Sequence, residues 1–140
     1  MISKDINACQ QPLINAYNSA VKQWKVLYKD SPQPFLTCTT RDIEDQYTNY
    51  GKGRTKEECK KAGVPEKYAQ PDLKPVTWTM HSKHLEGKAF DVAFKTSTGI
   101  LDWSPELFIN FWHLIHTEYP EITWGGTWKS SKDLPHFEIK

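Results

Sequence analysis

His81-Ser82-Lys83-His84-Leu85-Glu86-Gly87-Lys88-Ala89-Phe90-Asp91 gathers two imidazoles, two carboxylates, a hydroxyl and a glycine into one short stretch. Imidazole nitrogen and carboxylate oxygen are what zinc takes as ligands, at about 2.0–2.2 Å and in a tetrahedron. Gly87 stands between His84 and Asp91, and glycine tolerates the positive φ of a sharp turn. Such a turn folds the chain back so that the two side chains can meet. Beyond it, Ala89–Phe94 has the β-branched and aromatic content of a strand. Ala89 and Asp91 would share one face of that strand and Phe90 the other. On spacing alone, an ordinary polar surface turn explains these residues equally well.

A metalloenzyme needs a third protein ligand and leaves a fourth position for water. The C-terminal run Asp133-Leu134-Pro135-His136-Phe137-Glu138-Ile139-Lys140 offers one in His136. Asp133 could reach the water as a general base without binding the metal. Glu138 shares a strand face with His136 and reads either as a support for that ring or as a rival base. A surface tail with a lone histidine is the plainer alternative.

Working outward, the rhythm of Leu13, Ala16, Tyr17, Ala20, Val21, Trp24 and Leu27 predicts a helix from Pro12 to Lys29. A second helix is predicted from Ser104 to Tyr119, with Ser104 as cap and Pro105 in the first turn. Asp42–Tyr50 and Lys56–Lys61 suit shorter helices, the former capped by Asp42 or Thr40. Further strands are expected at Phe35–Thr40, Val76–Met80, Ile122–Trp124 and His136–Ile139. Helices and short strands mix without a βαβ rhythm, so the expected class is α+β, a small antiparallel sheet packed against helices.

The length of 140 residues fits one domain, and 13% aromatic residues argue against disorder. Eighteen Lys and Arg against seventeen Asp and Glu give a net charge of +1, no sign of a general nucleic-acid binder. The chain has no long apolar run, so membrane insertion is not expected. The N-terminus lacks the apolar core of a signal peptide, which points to synthesis in the cytoplasm. Cys9, Cys38 and Cys59 form an odd, scattered set with no histidine at a defensible spacing, so neither a disulfide framework nor a cysteine nucleophile is expected. His113 and His116 are read as structural residues among core aromatics, and His81 as an exposed or supporting residue rather than a ligand. Trp103, Trp112, Trp124 and Trp128 are expected mainly in the core.

The pattern S-x-H-x-x-G-x-A-x-D at Ser82, His84, Gly87, Ala89 and Asp91, followed by D-x-x-H at Asp133 and His136, resembles the LAS or M15 family of zinc peptidases. The family includes D-alanyl-D-alanine carboxypeptidases, dipeptidases and phage L-alanyl-D-glutamate endolysins. Val76-Thr77-Trp78, Trp124-Gly125-Gly126-Thr127-Trp128, Arg41 with Gln46, and Gly53-Arg54-Thr55 resemble the endolysin branch. The resemblance implies one Zn²⁺ held by His84, Asp91 and His136, with Asp133 as base and Arg41 stabilising the oxyanion. It implies that Ser82 and Glu138 support the ligands or line the substrate groove. Asp133 stands where many members have the longer Glu.

The likeness further implies a peptidoglycan endopeptidase, a single peptidase domain over residues 1–140 without a separate wall-binding domain, acting as a monomer. It would be held in the host cytoplasm and reach the cell wall once the membrane is permeabilised. A D-alanyl-D-alanine carboxypeptidase or dipeptidase, and an inactive peptidoglycan-binding module, are the competing expectations.

Overall fold

A computed structural model describes residues 1–77 and 79–140. The longer helices are α1 (Gln11–Leu27) and α4 (Pro105–Glu118), with the short α2 (Ile43–Gly51) and α3 (Lys56–Lys61) between them. Four strands, β1 (Gln33–Cys38), β2 (Ala89–Lys95), β3 (Thr123–Trp124) and β4 (His136–Glu138), form one antiparallel sheet in the order β1-β2-β4-β3. This is the expected α+β arrangement.

The alternation of β2 sorts its side chains. Phe90, Val92 and Phe94 enter the apolar core together with Phe137 of β4. Leu13, Ala16, Ala20 and Trp24 of α1, with Phe108, Phe111 and Ile115 of α4, pack onto that same face. Phe90 stacks on Phe137 with ring centroids 5.3 Å apart and meets Tyr17 edge-on at 5.4 Å. Asp91, His136 and Glu138 have the opposite parity and lie on the other face.

Residues 43–77 contribute nothing to this core among the described residues. They have a small cluster of their own, with buried Cys59 and Val64 and with Tyr47 against Tyr68. Gln46 ties the segment to its surroundings, accepting from Arg41 Nη1 at 3.1 Å and donating from Nε2 to the Thr79 carbonyl at 2.6 Å, while Arg54 Nη2 holds the segment's end through the Thr77 carbonyl at 2.8 Å.

Several local expectations need correction. Val76, Thr77, Thr79 and Met80 are not in a strand, and Trp78 lies outside the described residues. The Thr77 and Thr79 carbonyls serve the Arg54 and Gln46 side chains instead. Ser104 makes no side-chain cap; Asp102 Oδ1 accepts from both its N–H and its hydroxyl. Trp103 is 54% exposed and stacks on Phe108 from outside. His113 and His116 are exposed too, lying against Trp112 rather than amid the core. Asp42 caps α2 as expected, in a reciprocal box with Asp45.

Phe90→Ala removes a ring that packs on Tyr17 of α1 and stacks on Phe137 of β4. It is expected to cost about 3–5 kcal/mol in urea denaturation. Trp103→Ala on the surface is expected to cost far less, and equal losses would contradict this placement of the core.

Candidate metal centre

Ser82 starts a single 3-10 turn, Lys83–Glu86, by accepting from the His84 N–H at 3.3 Å. Gly87 ends it at φ 68°, and a Cβ there would meet the Ala8 carbonyl oxygen at 3.0 Å. The sharp turn expected at Gly87 is therefore present, and it returns the chain directly into β2.

His84 is 2% exposed. Its Nδ1 lies 2.9 Å from the Thr39 carbonyl, which can only accept, so Nδ1 carries the proton. In the neutral form of the ring, that leaves Nε2 as a lone pair. This atom is buried, 3.2 Å from Asp91 Oδ1, and has no hydrogen-bond partner among the described residues. His136 presents its other nitrogen: Nδ1 is 3.0 Å from the same Asp91 oxygen, while Nε2 donates to Glu138 Oε1 at 2.7 Å.

The 3-10 turn, β2 and β4 thus bring two imidazole nitrogens onto the same Asp91 oxygen. The separations of 3.2 and 3.0 Å compare with an edge of about 3.3 Å for a tetrahedron with 2.0–2.1 Å bonds. The orphaned Nε2 is the strongest sign that a cation belongs there. Both rings are locked by their outer nitrogens, one to a backbone carbonyl and one to a carboxylate, as metal-binding histidines are.

Burial by itself would lower both imidazole pKa values, but the Asp91 carboxylate reverses this. His84 is pushed up to about 10 and His136 to about 9. Asp91 is driven well below the usual carboxylate range by the two rings, against its own burial. Glu138 is lowered by the His136 N–H that it accepts. Asp133 moves the other way: loss of hydration raises it, and the nearby Asp91 charge adds to this.

Asp133 lines the same cleft as His84, Asp91 and His136. Its N–H donates to the Gly125 carbonyl at 3.1 Å, and a Cβ on Gly125 would lie 2.3 Å from the Asp133 carbonyl oxygen. Gly125 is the small residue that lets this backbone seat close. Arg41 also lines the cleft; Nη1 donates to Gln46 Oε1 at 3.1 Å, and Nε has no partner among the described residues. Ser82 caps the turn and faces the cleft, and Glu138 is tied to His136 rather than standing free as a second base. Exposed His81 and half-buried Trp128 complete this side, with the Trp128 ring 5.5 Å from that of His136. The cleft encloses about 890 Å³.

Cys38 could not be placed at the site from sequence. Its Sγ lies 3.5 Å from His84 Nδ1 and 3.6 Å from Arg41 Nη2. Cys38, His84 and Asp91 can bring donor atoms within 4.8 Å of one another. The thiol, however, sits at the ring nitrogen already committed to Thr39. The pairing Cys38↔Asp91, with a bulge after Leu36, brings it there, and no sequence spacing announces it.

Residues 76–139 match the family model of the M15 peptidases described as D-alanyl-D-alanine carboxypeptidase. That segment contains His84, Asp91, Asp133 and His136. The fold is similar to the crystal structure of the Serratia marcescens L-Ala D-Glu endopeptidase ChiX, with a TM-score of 0.63 and 20% identity. The match covers 100% of this chain and 89% of that one. No curated protein matches by sequence. The segment that builds the site matches the M15 peptidase model, and that match supports a metallopeptidase.

Both imidazoles hold protons near neutral pH when no ion is bound, so metal uptake must release them. Apparent metal affinity is expected to climb with pH through neutrality and flatten as the histidine values of about 9 and about 10 are passed. Competition with a chromophoric chelator measures this; a flat profile would contradict it. Glu138→Ala frees the His136 ring and is expected to weaken metal binding roughly 10–100-fold.

Proposed function

We propose that this chain is a zinc-dependent peptidase of the peptidoglycan peptide stem that cuts the L-alanyl-D-glutamate bond. The observation that carries the reading is the convergence of His84 Nε2, Asp91 Oδ1 and His136 Nδ1 beside Asp133 in one open cleft. Two imidazoles and one carboxylate suit zinc, the metal of many three-ligand hydrolytic sites. The solved endopeptidase that shares the fold is consistent with this choice of bond.

The zinc ion, when bound, supplies Lewis acidity and lowers the pKa of a bound water toward about 7. The chain's own residues do the rest. Asp133, whose raised pKa makes it a stronger base than an ordinary aspartate, takes the proton from the attacking water. It then returns that proton to the leaving amine. Arg41, anchored through Nη1 by Gln46 and with Nε unpaired among the described residues, supplies positive charge for the oxyanion. Trp128 on one side, and Val76, Thr77 and Thr79 on the other, form walls that hold the peptide across the site.

A phage or prophage endolysin is the role that fits this reading, with the enzyme kept in the host cytoplasm until the membrane is breached. A second reading, D-alanyl-D-alanine carboxypeptidase, is favoured by the description of the matching family. The two share their metal chemistry and differ in the product.

Mass spectrometry of digested peptidoglycan is expected to show new amino groups on D-glutamate; free D-alanine in its place would establish the carboxypeptidase reading. Asp133→Ala is expected to retain zinc and lose at least about 100-fold in turnover. His136→Ala is expected to lose zinc as well. Loss of zinc from Asp133→Ala would overturn the separation of base from ligand.

A further inference from the structure

Charge around the cleft is uneven. Its lining carries four permanent cations, Arg41, Lys52, Lys83 and Lys132, against three carboxylates, Asp91, Asp133 and Glu138. Asp91 is engaged by both imidazoles and Glu138 by His136. A divalent ion would enlarge the positive excess. The whole chain nevertheless carries only +1, so the imbalance is local.

The three lysines come from separate places: Lys52 follows α2, Lys83 lies on the 3-10 turn beside His84, and Lys132 precedes Asp133. None has a carboxylate within ion-pair distance among the described residues. Lys52 and Lys83 are half-buried, and the one carboxylate that feels Lys83, Glu138, is already tied to His136. Cations held this way in a cleft attract an anionic ligand and orient it.

Resting on the peptidase reading of the site, we propose that Lys52, Lys83 and Lys132 form a carboxylate-recognition rim. The rim selects stem peptides whose acidic groups beside the scissile bond are free over their amidated counterparts. The chemistry matches: a γ-linked D-glutamate leaves its α-carboxylate unblocked on the residue that supplies the scissile nitrogen. Amidation removes that charge and with it the charge-assisted hydrogen bond.

The test uses two product peptides, γ-D-glutamyl-lysine with the glutamate α-carboxyl free or amidated, titrated calorimetrically into the zinc-loaded protein. The free acid is expected to bind about tenfold tighter, a margin that shrinks with added salt. Lys52→Met/Lys83→Met is expected to abolish the preference while zinc content stays unchanged. Lys132→Met alone, on an exposed loop, is expected to reduce it. Equal binding of the two peptides by the unaltered protein, or a preference that survives in the double variant, overturns the rim. Cleavage of matching substrates is followed in parallel. Turnover with identical KM for both forms sinks the rim and leaves the peptidase intact; carboxylate preference without turnover sinks the peptidase and leaves the rim.

Discussion

The register between β2 and β4 is the constraint on which the site rests. Asp91 pairs with His136, Phe90 with Phe137 and Ala89 with Glu138. A slip of one residue would send His136 into the core and Phe137 into the cleft, because strand side chains alternate faces. The aromatic side prevents it: Phe137 is fully buried among Phe90, Phe111 and Trp124. The ladder is extended past the strand ends by Val92 N–H to the Pro135 carbonyl and Ile139 N–H to the Lys88 carbonyl. Hydrophobic packing on one face thereby sets the donor geometry on the other.

The two histidines reach the same carboxylate oxygen through different nitrogens, and their backing differs accordingly. A neutral carbonyl fixes His84, whereas a carboxylate fixes His136 and increases its basicity. The closeness of the two rings, 5.2 Å between centroids, is tolerable because Asp91 lies between their donor atoms. Two imidazoles and one shared carboxylate leave room for a fourth ligand, the open character of catalytic metal sites rather than the closed character of structural ones.

Much of this was readable from residue order. Gly87 between His84 and Asp91 announced the turn, and strand alternation separated Asp91 from Phe90. The apolar stripe of Leu13, Ala16, Ala20 and Trp24 marked the face of α1 that the core uses. The features that escaped depend on contacts distant in sequence. Cys38 meets His84 only through the pairing of β1 with β2, and that pairing includes a bulge. Val76–Met80 has strand-like composition, yet its Thr77 and Thr79 carbonyls serve polar side chains of residues 43–77, and composition cannot report that. The tie from Glu138 to His136 follows from strand parity, but parity alone left support and rival base equally open.

The separate cluster of residues 43–77 has a consequence for how the molecule breathes. The sheet, α1 and α4 share one apolar core and open together, at a cost close to that of global unfolding. The cleft wall that carries Asn49 and Lys52 is tied to the rest of the chain by side-chain hydrogen bonds such as those of Gln46 with Arg41 and Thr79, and has only a small interior to lose. Its amides therefore exchange through cheap local opening, well before those of β2 and β4. A peptide lodged across the cleft bridges the two units. It raises the protection of the weaker one and leaves that of the stronger almost unaltered, so occupancy is felt as a merging of two cooperative units into one.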